Sequence, residues 1–243
     1  MINLKKISTS HPKSIDKKTA EKKIEQFRKE LFILQNKLYA SKKKGLLIVL
    51  QGLDTSGKDG TISHVFSSIN PQGCNVSSFK SPTEEEALHD FLWRIHSHVP
   101  ERGMMGIFNR SYYEDILYTT VHKTFSNKVI ERRYKLINNF EEELQDEDII
   151  VLKFFLHISK KEQEKRITER LTDPHKRWKY NPNDQKEEHY YDEYMKVFGE
   201  IIDRCSPAIP WHVVPADHRW YRNYIVAKKL IETLDALKLE YPS

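Results

Sequence analysis

The sequence predicts an α/β fold built on a parallel β-sheet, and three observations carry that expectation. Short apolar runs recur at Leu46–Leu50, Asn75–Phe79, Met104–Phe108, Ile149–Ile158 and Trp211–Pro215, each long enough for a strand. Helical patterns separate them, the βαβ rhythm that buries a parallel sheet between helices. The first run ends in a glycine-bracketed turn, Gly52-Leu53-Asp54-Thr55-Ser56-Gly57-Lys58-Asp59-Gly60, where a strand hands over to a helix.

Residues 1–44 are lysine-rich and glycine-free and read as a flexible start followed by one amphipathic helix. From Asp16, residues Ile24, Phe27, Leu31, Leu34 and Leu38 recur at helical spacing. Lys42, Lys43 and Lys44 precede the first strand, at the end opposite the glycine turn. Residues 45–243 then form the main domain.

Gly52 to Lys58 fit the spacing G-x-x-x-x-G-K. In that spacing the glycines let backbone N–H groups converge on phosphate oxygens and the lysine adds a point charge. The following helix, expected over Thr61–Ile69, aims its positive dipole end at the same anion. The Ser or Thr that usually follows the lysine to hold Mg²⁺ is replaced by Asp59, and a carboxylate, Asp54, sits inside the loop. The expectation is that Asp54 takes part of the metal-holding role.

Asn70-Pro71-Gln72-Gly73 stops that helix, and the second strand leads to Lys80, at the sheet edge where open α/β folds bind ligands. Lys80 is therefore a phosphate candidate. Thr83 and Glu86 have capping-box spacing for a helix expected to carry His89, Trp93, His96 and His98. No carboxylate or cysteine recurs at ligand spacing beside these histidines, so they read as surface or packing residues. The third strand runs into Asn109-Arg110. Asn109 takes the place of the carboxylate that ends such a strand in P-loop enzymes, leaving Arg110 as the charged neighbour and a phosphate candidate.

Asn127 is placed to cap a helix bearing Ile130, Tyr134, Ile137, Phe140 or Glu141, and Leu144 on its faces, with Arg132, Arg133 and Lys135 expected outward. After the fourth strand, Ser159 and Glu162 form a second capping-box pattern, and the helix they start sets Arg166 and Arg170 one turn apart. Asp173-Pro174 ends it. A basic-aromatic loop, His175 to Tyr180, then Asn181 to Asp184, leads to an acidic helix around Tyr190, Tyr191, Asp192 and Tyr194. Two helices joined by a basic turn, inserted over about 160–198, are what a phosphoryl-transfer lid requires: cations that close over negative charge and exclude water.

Composition sets the outer bounds. A chain of 243 residues with 38% hydrophobic content buries one sizeable core. The net charge of +5 permits a polyanionic partner without demanding one. Cys74 and Cys205 lack C-x-x-C spacing, so neither zinc nor a disulfide framework is indicated and a reducing cytoplasm is expected. No apolar run reaches the length of a membrane span, and no signal-peptide core follows the N-terminal lysines.

Three motifs together are more specific than the loop alone. Gly52-Leu53-Asp54-x-x-Gly57-Lys58-Asp59-Gly60, Phe108-Asn109-Arg110-Ser111-x-Tyr113-Glu114-Asp115 and Arg170-Leu171-x-Asp173-Pro174-x-Lys176-Arg177-Trp178-Lys179 resemble the polyphosphate kinase 2 family. Trp211-x-Val213-Val214-Pro215-Ala216-Asp217 and Trp220-Tyr221-Arg222-Asn223 extend the match to the final helix. The resemblance implies a thymidylate-kinase-like P-loop fold of three layers, with a five-stranded parallel sheet and a helical lid. It implies Mg²⁺-dependent transfer between inorganic polyphosphate and nucleotides, carrying AMP to ADP and ADP to ATP. It places catalytic residues on Asp54, Lys58, Arg110 and Arg170, with Asp54 also the metal ligand. Phosphate binding is expected at Gly57, Lys58, Asp59, Gly60, Lys80, Arg166, Lys176 and Arg177, and nucleotide binding at Asn109, Tyr113 and Glu114. Many members carry aspartate where Asn109 stands. The asparagine with the following Glu-Asp resembles the subgroup often called class III, which accepts monophosphates as well as diphosphates. Family members are commonly tetrameric, so a homo-oligomer is implied.

Independently of the resemblance, a metaphosphate-like transition state calls for positioning and charge more than covalent help, which loop amides, Lys58 and arginines supply. An ATP-dependent nucleoside monophosphate kinase would share these features. A non-catalytic polyanion-binding or nucleic-acid-binding protein would share the basic surface but has no need of Asp54. A regulatory GTPase lacks support, because no Asn-Lys-x-Asp segment is present.

Overall fold

The computed structural model describes residues 2–179 and 182–242, so Tyr180 and Asn181 of the expected lid turn lie outside the described residues. In chain order the elements are α1 (Lys17–Ser41), β1 (Gly45–Gln51), α2 (Lys58–Val65), β2 (Cys74–Ser78), α3 (Glu84–Ala87), α4 (Trp93–His96), β3 (Met105–Asn109), α5 (Glu114–Val121) and α6 (Asn127–Asp146). There follow β4 (Ile149–His157), α7 (Lys160–Thr172), α8 (Pro182–Glu188), α9 (Tyr191–Arg204), β5 (Trp211–Pro215) and α10 (Arg219–Ala236).

The five strands form one parallel sheet in the order β2-β3-β1-β4-β5. β1 is central, with Leu47 opposite Gly106 on β3 and Val151 on β4. Its run Leu46–Leu50 is wholly buried because both faces of a parallel sheet are covered. The chain steps from β1 outward to β2, and from β3 across β1 to β4. Right-handed crossovers in opposite directions put their helices on opposite faces. Accordingly α1, α2 and α10 pack together, and α5, α6 and α9 pack together.

Several expectations change. The loop's helix starts at Lys58 and stops at Val65, short of Ile69. The helix expected across the histidines is two short pieces, because Asp90 accepts a hydrogen bond from the Leu92 amide and turns the chain between them. Thr83 does form a full capping box with Glu86. His89 stacks on Trp93, His96 packs on Phe140 and His98 on Phe79. The N-terminal residues are not loose: Leu4 enters the core, and Thr9 bonds to Asp217. The segment expected to form two lid helices contains a third, α8, and its last helix α9 runs on to Arg204.

A fully buried ion pair lies in the core. Lys153 on β4 meets Glu141 on α6, and the carboxylate also accepts from the phenols of Tyr112 at 2.7 Å and Tyr113 at 2.8 Å. The Lys153 ammonium also donates to Tyr113 at 3.0 Å and to the Cys205 carbonyl, so its donors are all satisfied. Among the described residues, no helix is long and apolar enough to cross a membrane.

Candidate active site

β1 is where the chain reverses its direction across the sheet, and such a switch point opens a crevice at the carboxyl ends of the strands. The loop Gly52–Gly57 leaves β1 into that crevice. Its tight path needs left-handed backbone at Thr55 (φ 66°) and Gly57 (φ 104°). A Cβ at Gly57 would overlap the guanidinium of Arg222, so glycine is required there for space as well as conformation.

Two buried arginines hold the loop from behind. Arg166 Nη1 donates to the carbonyls of Thr55 (3.0 Å) and Ser56 (3.2 Å), and Arg222 Nη1 donates to Ser56 (3.2 Å). Because a peptide unit is planar and trans, drawing the Ser56 carbonyl backward turns the Gly57 N–H toward the cleft. Lys58 opens α2, and its ammonium folds over the loop, donating to Gly52 O at 2.7 Å and Leu53 O at 3.1 Å.

Arg110 follows β3 with a left-handed φ of 65°, a conformation costly for a residue with a Cβ. Its amide donates to Leu50 O, and its guanidinium forms an ion pair with Asp54. The strain therefore aims a cation at the loop carboxylate. Burial alone would raise the Asp54 carboxyl, but Arg110, Lys58 and Arg170 outweigh it and hold the group below its ordinary value. Burial and Arg110 together push the Lys58 ammonium down to about 8, against the pull of Asp54, Glu114 and Asp59. Burial raises the Glu114 carboxyl despite Arg110 and Lys58.

Asp54, Lys80, Arg110 and Glu114 line one cleft of about 900 Å³, near the upper size of small-molecule sites. Its other wall is apolar and cationic: Arg133 lies over Phe125 (4.3 Å) and Phe91 (5.0 Å), while Arg94 donates to Lys80 O at 2.8 Å. Beside the loop, Asn109 Nδ2 donates to Asp59 Oδ1 at 2.7 Å.

Not every expected site residue joins the cleft. Arg166 is corrected from phosphate ligand to internal brace: it is 5% exposed, and its donors are taken by Glu162 and by the carbonyls of Thr55, Ser56, Ala216 and Asp217. Tyr113 is corrected from nucleotide contact to core residue, because its side chain is fully buried against Trp211 and donates to Glu141. Lys176 pairs with Glu169 and Asp173 at the end of α7, and neither it nor the exposed Arg177 lines the cleft. Gly60 faces Arg222 on the loop's rear side. Arg133, expected outward, turns inward to the Asp115 carbonyl and carboxylate.

Sequence reasoning missed Arg222, Arg94 and Arg133 as site components. The Trp220–Asn223 motif was a signal for Arg222. The other two had none, since helical periodicity does not mark a guanidinium that turns back over an aromatic ring. Among the described residues no group of three or more His, Cys, Asp or Glu could hold a metal. Mg²⁺ needs no such cage, since it is held by one or two carboxylates, waters and substrate phosphates. Asp54, which lines the cleft together with Glu114 and whose charge acts on the Glu114 carboxyl, fits that requirement.

A family model described as polyphosphate kinase 2 matches residues 14–242. The chain is 46% identical over 210 residues to an AMP/ADP-polyphosphate phosphotransferase of Meiothermus ruber, covering 86% of this chain and 79% of that one. A polyphosphate:AMP phosphotransferase of Pseudomonas aeruginosa is 34% identical over 79% of this chain and 39% of its own length. The crystal structure of polyphosphate kinase 2 from Arthrobacter aurescens TC1 superposes with a TM-score of 0.96 at 40% identity, covering 100% of this chain and 88% of that one. The chain is a polyphosphate kinase and belongs to the polyphosphate kinase 2 family.

Proposed function

We propose that this chain transfers phosphoryl groups between inorganic polyphosphate and nucleotides at the cleft above β1, carrying AMP to ADP and ADP to ATP. The observation that carries the reading is the strained Arg110 paired with Asp54, both acting electrostatically on the Lys58 ammonium. That set places two cations and one carboxylate where a phosphoryl group would pass. The names of the relatives supply the donor and acceptors.

In this reading the Gly57 amide and the start of α2 cradle phosphate oxygens, and Lys58 leaves its carbonyl partners to meet them. Arg110 neutralises charge as it builds on the equatorial oxygens, exchanging its bond to Asp54 for one to phosphate. Asp54, freed and still ionised, would hold Mg²⁺ with Glu114 nearby. When bound, the ion would neutralise phosphate charge and align the reacting oxygens. The apolar wall with Phe91 and Phe125 offers the acceptor's base a place away from water.

The region 160–198 serves as the lid of a kinase domain spanning 45–243, and Arg170 on α7 is its catalytic cation. Arg170 already acts on the Asp54 carboxyl. Lys80, Lys176 and Arg177 extend the positive surface that a long anion follows, and affinity there weakens with salt. Cytoplasmic action and a homo-oligomeric assembly belong to the same reading; the free cysteines accord with the first, and family resemblance alone supports the second.

Incubation with polyphosphate, Mg²⁺ and AMP or ADP, followed by nucleotide separation, tests the proposal. ADP and ATP should appear. Transfer from ATP to AMP with none from polyphosphate would instead establish an ordinary nucleoside monophosphate kinase.

A further inference from the structure

Residues 2–12 lie outside the stretch matched by the family model, yet they are tied to the folded domain at several points. A single 3-10 turn, Leu4–Lys6, buries Leu4 in the main core. The backbone ahead of it presses on α9 so closely that a Cβ at Gly199 would overlap the Ile2 carbonyl oxygen. Lys5 reaches Asp192 at 2.8 Å, in the first turn of α9.

The same segment then crosses to the turn after β5. Thr9 Oγ1 donates to Asp217 Oδ2 at 2.6 Å, and the Asp217 amide donates back to Thr9 O at 3.0 Å. Ser10 lies 3.1 Å from His218, and the His11 ring packs on those of His218 and Trp220.

Asp217 is the hub of this contact. Its other oxygen, Oδ1, accepts from the backbone N–H of Ser159 at 2.8 Å. Ser159 is the N-cap of α7, the helix that carries Arg170. The Asp217 carbonyl accepts from Arg166 Nη2 at 2.9 Å, and the opposite end of that guanidinium grips Thr55 and Ser56 of the phosphate-binding loop. Gln163, one turn into α7, reaches Asp54 O at 3.4 Å. One unbroken chain of bonds thus runs from the N-terminal segment, through Asp217, to the base of α7 and the back of the loop. The contacts at Gly199 and Asp192 tie the same segment to α9, the other arm of the insertion.

We propose that residues 2–12 are a strap that pins both roots of the lid against the phosphate-binding loop, and that Thr9 is a positioning residue for phosphoryl transfer acting through Asp217. The inference rests on reading 160–198 as a lid. Hinges absorb motion at a few element-terminal residues, and the strap bonds next to two helix starts, Ser159 at α7 and Tyr191 at α9. A strap that fixes both sets the arc along which Arg170 approaches Asp54. Misplacement of a catalytic cation by about an ångström lowers turnover far more than it lowers ground-state binding.

The test compares Thr9→Val, Thr9→Ser and a chain lacking residues 2–11 with the unaltered protein. Four readouts are needed: kcat and KM for AMP and polyphosphate, melting temperature, and the rate of tryptic cleavage after Arg177. Thr9→Val should lower kcat on the order of tenfold with little change in either KM, and should speed cleavage in the lid turn. Thr9→Ser, which keeps the hydroxyl, should restore both. The deletion, if folded, should exaggerate the kcat loss.

Unchanged kcat and cleavage in Thr9→Val would overturn the proposal. So would a loss of kcat that tracks melting temperature and vanishes on cooling, because that marks a merely structural contact. Arg170→Ala keeps the two readings separable. If it leaves turnover intact, the lid assignment fails whatever the strap variants do. If it abolishes turnover while Thr9→Val does nothing, only the strap fails.

Discussion

Arg166 and Arg170 lie one turn apart on α7, yet substitution should separate them completely. Arg166→Met removes a guanidinium that meets four backbone carbonyls and the Glu162 carboxylate in a buried position. Breaking one partner of a buried, hydrogen-bonded charge pair costs about 3–5 kcal/mol, because the acceptors left behind are desolvated and unpaired. For a domain of this size that corresponds to a fall in melting temperature of roughly 10 °C. Urea and thermal unfolding followed by circular dichroism measure it. Arg170→Ala should behave in the opposite way, keeping the melting temperature while kcat drops on the order of a hundredfold, with nucleotide affinity in the open state little changed. If Arg166→Met melts with the parent protein but loses turnover, Arg166 is a phosphate ligand after all and the brace is wrong. Equal losses of affinity and turnover in Arg170→Ala would remove it from the closing step.

Three further outcomes are expected. With the Lys58 ammonium lowered from 10.5 to about 8, the group is charged below that pH and neutral above it. The kcat/KM of the free enzyme should therefore fall above about 8, and a Lys58→Arg variant, charged throughout, should lose that limb; a limb that persists belongs to another group. Glu141→Gln strands the Lys153 charge in the core and should lower stability by about 3–5 kcal/mol in urea titration, whereas Glu141→Leu with Lys153→Met should recover much of it. Asn109→Asp would set a second carboxylate against Asp59, where the amide now donates. It should lower kcat/KM for AMP relative to ADP by re-siting magnesium toward the longer acceptor, and an unchanged ratio would move acceptor choice to Glu114 and Asp115.

The contrast between legible and illegible residues has a physical pattern. The five strands and the loop after β1 could be read because apolar runs and glycine spacing are local signals, and Thr83 and Ser159 announced helix starts for the same reason. Asp54, Lys58 and Arg110 could be placed because they sit on or beside strand ends. Arg166 misled because helical spacing tells which residues share a face and not what lies across from it; here Ala216 and the loop carbonyls do. Tyr113 misled because the turn after Arg110 carries it under the sheet edge, toward an ion pair formed by residues 141 and 153. Arg222 and Thr9 bond to partners more than a hundred residues away. A local motif can mark the residue, as Trp220–Asn223 marks Arg222, but not its distant partner, and the polar N-terminal segment resembles a free tail until Asp217 is seen beneath it.

Asp54 and Lys58 should carry phosphoryl transfer while the fold stands without them. The direct measurement is initial velocity from polyphosphate to ADP, at saturating magnesium, for the unaltered chain and for Asp54→Asn and Lys58→Ala, each with its unfolding curve. Both variants should unfold cooperatively near the parent temperature and turn over at least about a hundredfold more slowly. Near-normal turnover by either folded variant would contradict the site.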